Sequence, residues 1–453
     1  MKTLSALFNW SDPGERHRVN SILRFQIPMG LTALMMASGF SIINAGLART
    51  VHPETALAAF ALGQTVTNMF GSPVWSARQM LLAFSTDRHS MNSAVRVAAT
   101  VAALVMAWIA LLGYTPLGRL VYVEIFGAGE DLFPEVLSVV RICIFLPFVH
   151  FIRAWPQSIL MRRERTILMT FAMIIRMAGM LAMALFMPGL GYLEGASLGA
   201  FIWIAGMGIE GIMCIIFALP RFDEVYGVEP PEGENPATTG DCLRFLLPMI
   251  AQGLLMTFSL PAINAGLART ASPERNLAIF QVSWSIAFMF IAFLMINLSQ
   301  TVLVLLRDLR WWRSLRRVGI TLSAAISTIM AVFVLCGASD WVLRELIGVD
   351  PTLLPATRVV LLLLSVTPLL TGLVELKSGI ALRRGSTAVV GVGKALDIGA
   401  LAAVVFGLSV IFPNLGAIVG PIAFAFGLAV NYLFMRARVP EPMTETGGPG
   451  GPS

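Results

Sequence analysis

Charge is what this chain has least of. Only 13% of its 453 residues are Asp, Glu, Lys or Arg, against 57% that are apolar. A soluble domain carries roughly 25% charged residues, so this chain lacks the polar surface to face water all round. Cysteines are few and scattered: Cys143, Cys214, Cys242 and Cys336 form no CxxC spacing. That suggests neither a disulfide framework nor a zinc site. Four histidines, His17, His52, His89 and His150, show no ligand spacing, and neither HExxH nor GxSxG occurs. A phosphate loop also fails: Ala388 stands where GxxxxGK[ST] needs its first glycine, and Ala395 follows Gly393-Lys394. No cofactor, metal or enzymatic activity is predicted. The net charge of +6 sits in short loops between apolar runs. That is a topology signal rather than a nucleic-acid patch.

What the chain does have is apolar runs of membrane-spanning length. A helix of about 20 apolar residues crosses a hydrocarbon core of roughly 30 Å. It satisfies its backbone polar groups within itself, as the bilayer demands. Six spans are predicted at 25–47, 55–84, 93–115, 133–160, 166–187 and 194–219, and Leu117 to Asp131 is too short and charged to cross. Six more follow at 244–267, 274–305, 314–336, 353–381, 386–411 and 415–435. The predicted fold is an all-α polytopic membrane protein with twelve transmembrane helices. It is organised as an N-terminal segment 1–24, a six-helix bundle 25–219, a linker 220–243, a second six-helix bundle 244–435 and a disordered tail 436–453. The linker is acidic and rich in proline, and the tail ends in GGPGGPS with nothing to bury. The N-terminal segment is polar, contains Asp12-Pro13-Gly14, and reads as a cytoplasmic lead-in rather than a cleavable signal.

The two bundles are copies. INAGLART occupies Ile43–Thr50 and again Ile263–Thr270, an offset of 220. Phe25, Pro28 and Met29 fall on Phe245, Pro248 and Met249, and Phe60 falls on Phe280. At an offset of 221, Pro134, Pro147, Arg162-Arg163, Gly195 and Gly199 meet Pro355, Pro368, Arg383-Arg384, Gly416 and Gly420. Six spans per copy is an even number, so the repeats are read as parallel rather than inverted. Arg and Lys then set orientation. Nineteen fall on the side of the termini, against five (Arg49, Arg119, Arg269, Arg275 and Arg344) on the other. Both termini are predicted cytoplasmic, in the cell's inner membrane.

Ionisable groups inside spans are functional candidates, because each costs several kcal/mol to place in hydrocarbon. The first half has Arg78, Arg141, Arg153 and Arg176 with His150 and Glu210; the second has Glu375, Lys377, Lys394 and Asp397. Arg141 and Arg153 lie twelve residues apart on one predicted span, about 120° apart around it, which suits two separate roles. Lys394 and Asp397 are three apart and can pair across a turn, as a coupling site or a plain helix contact. Arg176 maps onto Asp397, so the first half is net positive there and the second is not. Arginine keeps its charge and forks onto carboxylate or phosphate oxygens. The predicted anion contacts are therefore Arg141, Arg153 and Arg176. Arg78 and Arg153 can also snorkel toward headgroups. Asn44, Asn264 and Asn68 are added as polar candidates, the first two being matched in the repeats. Glu375, Asp397, Lys394 and Glu210 are the candidates for a coupling proton or sodium. Pro73, Pro147 and Pro368 predict kinks.

Two parallel six-helix bundles with a cytoplasmic linker resemble the multidrug/oligosaccharidyl-lipid/polysaccharide exporter superfamily. The first half is most similar to the progressive ankylosis family. The resemblance rests on Arg24-Phe25, Pro28-Met29-Gly30, Asn44-x-Gly46, the turn Phe70 to Pro73, Leu146-Pro147-Phe148, Arg153-Ala154-Trp155, Leu160 and Arg162. It implies an alternating-access exporter, monomeric and lipid-embedded, and for that family an anionic cargo such as pyrophosphate, nucleotide or citrate. Alternatives are a multidrug exporter of organic cations, a lipid-linked saccharide flippase, and a membrane scaffold or integral membrane enzyme.

Overall fold

Every span expected from the apolar runs folds as helix, as it must where no water can bond a bare backbone. The computed structural model describes residues 12–126, 129–189, 193, 195–230, 235–295, 297–346 and 351–442. Residues 1–11, the linker positions 231–234 and the tail 443–453 lie outside the described residues, with whatever the sequence predicted for them. No strand occurs among the described residues.

The first six spans are α1 (Pro13–Leu47), α2 (Pro53–Ala83), α3 (Arg88–Tyr114), the broken pair α4 (Phe133–Cys143) and α5 (Leu146–Arg162), α6 (Thr166–Phe186) and α7 (Ala196–Ala218). The second six are the pair α8 (Thr239–Thr257) and α9 (Ser259–Leu267), the pair α10 (Pro273–Ala292) and α11 (Asn297–Leu305), then α12 (Leu309–Leu335). The pair α13 (Leu354–Leu364) and α14 (Thr367–Arg383), α15 (Thr387–Ile411) and α16 (Val419–Arg438) complete the set. Among the described residues eleven of the twelve spans are long and apolar enough to cross a membrane. The twelfth, α2, has the length at 31 residues. It dilutes its apolar content with Gln64, Thr65, Thr67, Asn68, Ser72, Ser76, Arg78 and Gln79.

The repeat is structural as well as textual. Asp87 and Asp308, 221 apart, each cap their helix by accepting from a backbone N–H three residues on, Ser90 and Trp311, at 2.9 Å. Each cap satisfies an orphan donor at the first turn. Both INAGLART copies end their helix the same way. Thr50 and Thr270 hydroxyls donate to the carbonyls of Leu47 and Leu267, while Arg49 and Arg269 fold back onto those of Ala45 and Ala265. These side chains satisfy carbonyls that the helix leaves unpaired. The glycine of each copy is packing. Gly46 meets Ala184 and Gly266 meets Val405, positions that are themselves 221 apart. Gly199 lies against Phe60 and Ile43 as Gly420 lies against Phe280 and Ile263. One apolar core therefore gathers around Ile43, Leu47, Phe60, Ile202 and Trp203. A second gathers around Ile263, Leu267, Phe280, Val405 and Val419.

Helix breaks also recur in pairs. The fourth span is interrupted at Ile144–Phe145 and the tenth at Ser365–Val366, each resuming with Pro147 or Pro368 at its second residue. Proline has no N–H to give the preceding turn, so the helix restarts around it. Pro28 and Pro248 sit inside α1 and α8 at matched places without ending them. The chain forms two compact units, Leu31–Gly253 on one hand and Met1–Gly30 with Leu254–Ser453 on the other. Their boundaries fall inside α1 and α8, a separate division from the sequence copies 25–219 and 244–435.

Beyond α16 the residues Val439 to Glu441 form a strap over the end of their unit. Val439 is buried and gives its carbonyl to Lys377 Nζ at 3.2 Å, and Arg384 donates to the Pro440 carbonyl at 2.9 Å. Glu441 accepts from Trp312 Nε1 and Arg316 Nη1, each at 3.2 Å, and lies 3.6 Å from Lys377 Nζ. Partial burial pushes its carboxyl pKa up. The Trp312 hydrogen bond and the Arg316 and Lys377 charges pull it down further, leaving it below the usual glutamate value.

Two outcomes follow. Gly195 and Gly416 both adopt φ near +60° (+59° and +58°), where L side chains are strained. Gly195→Ala should lower stability by about 1–3 kcal/mol in thermal unfolding, whereas Gly208→Ala, inside α7 with open space around it, should be neutral or gain up to ~1 kcal/mol. A lowered carboxyl pKa favours the docked strap above the free glutamate value and loses that advantage as pH falls through the docked one. Hydrogen-exchange protection factors of the Val439 and Glu441 amides, with the intrinsic pH dependence divided out, should therefore be high at neutral pH and fall in acid. In Glu441→Gln they should be low at neutral pH, with no acid transition.

Candidate functional site

The unit Leu31–Gly253 holds a buried charge cluster built on four helices. Its centre is Glu210 of α7, which is 0% exposed, beside Arg176 of α6 at 4% and Arg153 of α5 at 5%. Both guanidinium groups donate to the same oxygen: Arg176 Nη1 to Glu210 Oε2 at 2.8 Å and Arg153 Nη1 to Oε2 at 3.0 Å. The other oxygen, Oε1, accepts from Gln157 Nε2 at 2.8 Å. His150 Nδ1 lies 3.1 Å from Arg153 Nη2, and Arg176 Nε points to the Met180 sulfur at 3.4 Å. Arg78 of α2 interacts electrostatically with Arg153 and Glu210.

Helix geometry explains the gathering. His150, Arg153 and Gln157 are spaced three and four apart, so α5 presents them along one face. Small residues let the neighbouring helices close in. Gly211 lies against the Arg153 backbone, and Gly206 against Met180 and the Arg176 stem. Arg153, Arg176 and Glu210 stand 9, 10 and 8 residues from Arg162, Thr166 and Ala218, which share one end of the bundle. At 1.5 Å per residue that is roughly 12–15 Å from the end, about half the depth of a hydrocarbon core.

The electrostatics are unbalanced. The two bonded arginines against one glutamate leave 2 − 1 = +1. Removing an ion from water costs several kcal/mol even after relaxation, so each buried arginine needs a counter-charge. One carboxylate serves two of them through a single oxygen. Two further buried polar atoms of these residues have no partner among the described residues, Arg153 Nε and Gln157 Oε1. The cluster thus keeps one spare donor and one spare acceptor.

The other candidates sit elsewhere. The break in the fourth span places Arg141 on α4, apart from Arg153. It is exposed, donates Nε to the Gly113 carbonyl at 3.0 Å and lies over the Tyr114 ring at 5.2 Å. Asn44 is exposed on its helix, whereas Asn68 and Asn264 keep buried amide oxygens without a donor. In the second copy the counterparts of Arg153, Arg176 and Glu210, each 221 further on, are Val374, Asp397 and Asn431. The arginines are gone there. Asp397, 1% exposed, pairs with Lys394 Nζ at 2.7 Å, and Asn431 keeps a buried oxygen unpaired. Glu375 is buried on α14, and Lys377 on the same helix holds the strap. Gln157 was missed from sequence; its spacing of four from Arg153 was the available signal. No cluster of metal-ligating side chains occurs among the described residues.

Comparison with known proteins bears on the fold. Residues 235–438 match the family described as progressive ankylosis protein (ANKH). The match lies in the second repeat, whereas the residues that first suggested that family lie in the first. No curated protein sequence matches the chain. Solved structures do match over nearly their whole length. A MOP superfamily transporter from Pyrococcus furiosus, described as having a binding pocket of reverse polarity, aligns at 15% identity and TM-score 0.71, covering 93% of this chain and 96% of that one. A mutant of the Vibrio cholerae MATE transporter VcmN aligns at 14% identity and TM-score 0.71, covering 94% and 98%. An outward-facing multidrug resistance MATE transporter aligns at 15% identity and TM-score 0.67, covering 93% and 96%. The chain is a twelve-helix membrane protein with a MATE-like fold, whose residues 235–438 resemble the progressive ankylosis family.

Proposed function

We propose that this protein is an alternating-access secondary transporter that exports an organic or phosphorylated anion. The observation that supports this reading is the net positive cluster of Arg153, Arg176 and Glu210 inside a membrane bundle. Arginine stays charged in apolar surroundings and presents a fork that fits carboxylate and phosphate oxygens. An arriving anion would supply the missing counter-charge and meet the unpartnered Arg153 Nε. Arg153 and Arg176 are the contacts, with Arg78 adding field.

An organic cation would need an available carboxylate. Glu210 already accepts from Arg153, Arg176 and Gln157, and Asp397 is held by Lys394. Both are compensated by fixed cations, which favours the anion over the multidrug reading. The pocket of reverse polarity described for one structural neighbour makes a change of cargo charge within this fold reasonable. Asp397 with Lys394, and Glu375, are the proposed coupling groups in the second repeat for a proton or sodium. The excess of Arg and Lys on the side of the termini supports both termini being inside a cytoplasmic membrane.

Proteoliposomes loaded with radiolabelled citrate, pyrophosphate or tetraphenylphosphonium test the proposal directly. Citrate or pyrophosphate efflux should exceed that of empty liposomes. Arg176→Ala should lower it at least tenfold while yield and gel-filtration profile stay unchanged, and the exposed Arg96→Ala serves as a control. Transport of tetraphenylphosphonium alone would replace the anion reading with the multidrug one.

A further inference from the structure

We infer that Glu210 is a tethered stand-in for the transported anion, so that anion binding is linked to protonation of Glu210. Anion and proton are therefore carried together rather than exchanged. This rests on the anion reading and adds to it the sign of the coupling.

The geometry behind it is competition for shared donors. Arg153 Nη1 and Arg176 Nη1 converge on one oxygen, Glu210 Oε2, at 3.0 and 2.8 Å. Two guanidinium groups aimed at a single acceptor form the arrangement a substrate carboxylate or phosphate would need. In this structure the protein's own carboxylate occupies it. An anion approaching the arginines must displace Glu210 or share the site with it, and two adjacent buried anions repel strongly at low dielectric. Protonating Glu210 removes that conflict. The carboxyl becomes neutral, releases both arginines, and the incoming anion restores the negative charge they require. One negative charge replaces another, and the proton resides on the Glu210 carboxyl oxygen.

The surroundings favour this exchange. Around Glu210 stand Arg78 from α2, His150 and Arg153 from α5, Arg176 from α6 and the Cys214 thiol on its own helix. On α4, Glu135 is engaged with the Ala196 backbone N–H and Arg141 with the Gly113 carbonyl. The neighbouring charges at the cluster are thus cationic, and Glu210 supplies the carboxylate whose protonation frees donors. Gln157 Nε2 can remain on Oε1 after the arginines leave. Its own unpartnered Oε1 can accept the new carboxylic proton once the amide turns.

Linkage fixes the direction. If a proton on Glu210 strengthens anion binding, a bound anion must strengthen proton binding by the same factor. The pair then crosses as a symport. A cation exporter that uses its carboxylate directly has the opposite sign, because proton and cargo compete for one group.

Binding of citrate and of pyrophosphate to purified protein, measured by calorimetry from pH 5.5 to 8, tests the inference. Both ligands titrate, so wild type is compared with Glu210→Gln, in which the ligands' own protonation cancels. Wild-type affinity should fall up to about tenfold more per pH unit than that of Glu210→Gln, the limit for one linked proton. At pH 7.5 the variant should bind at least tenfold more tightly than wild type. Equal pH slopes in two proteins that both bind would overturn the linkage while leaving the anion reading standing. Loss of binding in folded Glu210→Gln would overturn it as well. Binding of tetraphenylphosphonium but of neither anion would remove the anion reading and this inference together. Should the variant fail to fold, calorimetry of wild type in two buffers of different ionisation heat counts protons without it. Uptake of about one proton beyond the ligand's own is expected, and none overturns the proposal.

Discussion

A single carboxylate holding two arginines inside an apolar bundle sets the terms for the rest of this protein. Guanidinium groups cannot escape charge by losing a proton, so α5, α6 and α7 must stay close enough for Glu210 to reach both. The glycines at 206 and 211 give that closeness, because a side chain at either position would contact Arg176, Met180 or the Arg153 backbone. Replacing such a buried triad with apolar residues is often neutral or stabilising in other proteins, so stability alone is a poor reason for it. The net positive charge that Arg153 and Arg176 leave on Glu210 is a still poorer one, and it is what the proposed anion cargo would answer.

The duplicated architecture sharpens the point. The two copies share their caps, proline-bounded breaks and positive-φ Gly195 and Gly416, and the contacts of Gly46 and Gly199 recur at Gly266 and Gly420 on matched partner positions. Against that common frame the triad is absent from the second copy. Val374, Asp397 and Asn431 stand in its place, and a local Lys394–Asp397 pair takes over. The scaffold has been kept twice and the chemistry once.

Much of this was legible in the sequence, and the limits have physical causes. Span number, the copies and the breaks at Pro147 and Pro368 follow from apolar length, self-similarity and proline chemistry, which are local properties. Arg153, Arg176 and Glu210 were visible as charges inside apolar runs. Their convergence was not, because it depends on how α5, α6 and α7 rotate about their axes. Arg141 shows the cost. On an unbroken helix it stood beside Arg153 as an equal candidate, but the break at Ile144–Phe145 leaves it beside Gly113 and Tyr114. The strap at Val439–Glu441 was equally hidden, since a short polar segment after the last span gives no periodic signal. INAGLART, the most conspicuous motif, proved to be a helix-end device: its arginine and threonine cap carbonyls and its glycine packs.

The polarity of α2 bears on how the chain enters the bilayer. Apolar spans partition into lipid as they leave the ribosome, one after another. A helix bearing Gln64, Asn68, Arg78 and Gln79 has little drive to do so by itself. Its Ser76 hydroxyl donates to the carbonyls of Ser72, on its own helix, and Met249, at 3.1 and 3.0 Å. Met249 belongs to α8, more than 170 residues later in synthesis. The second span therefore reaches its final polar contacts only after the second repeat has begun to emerge.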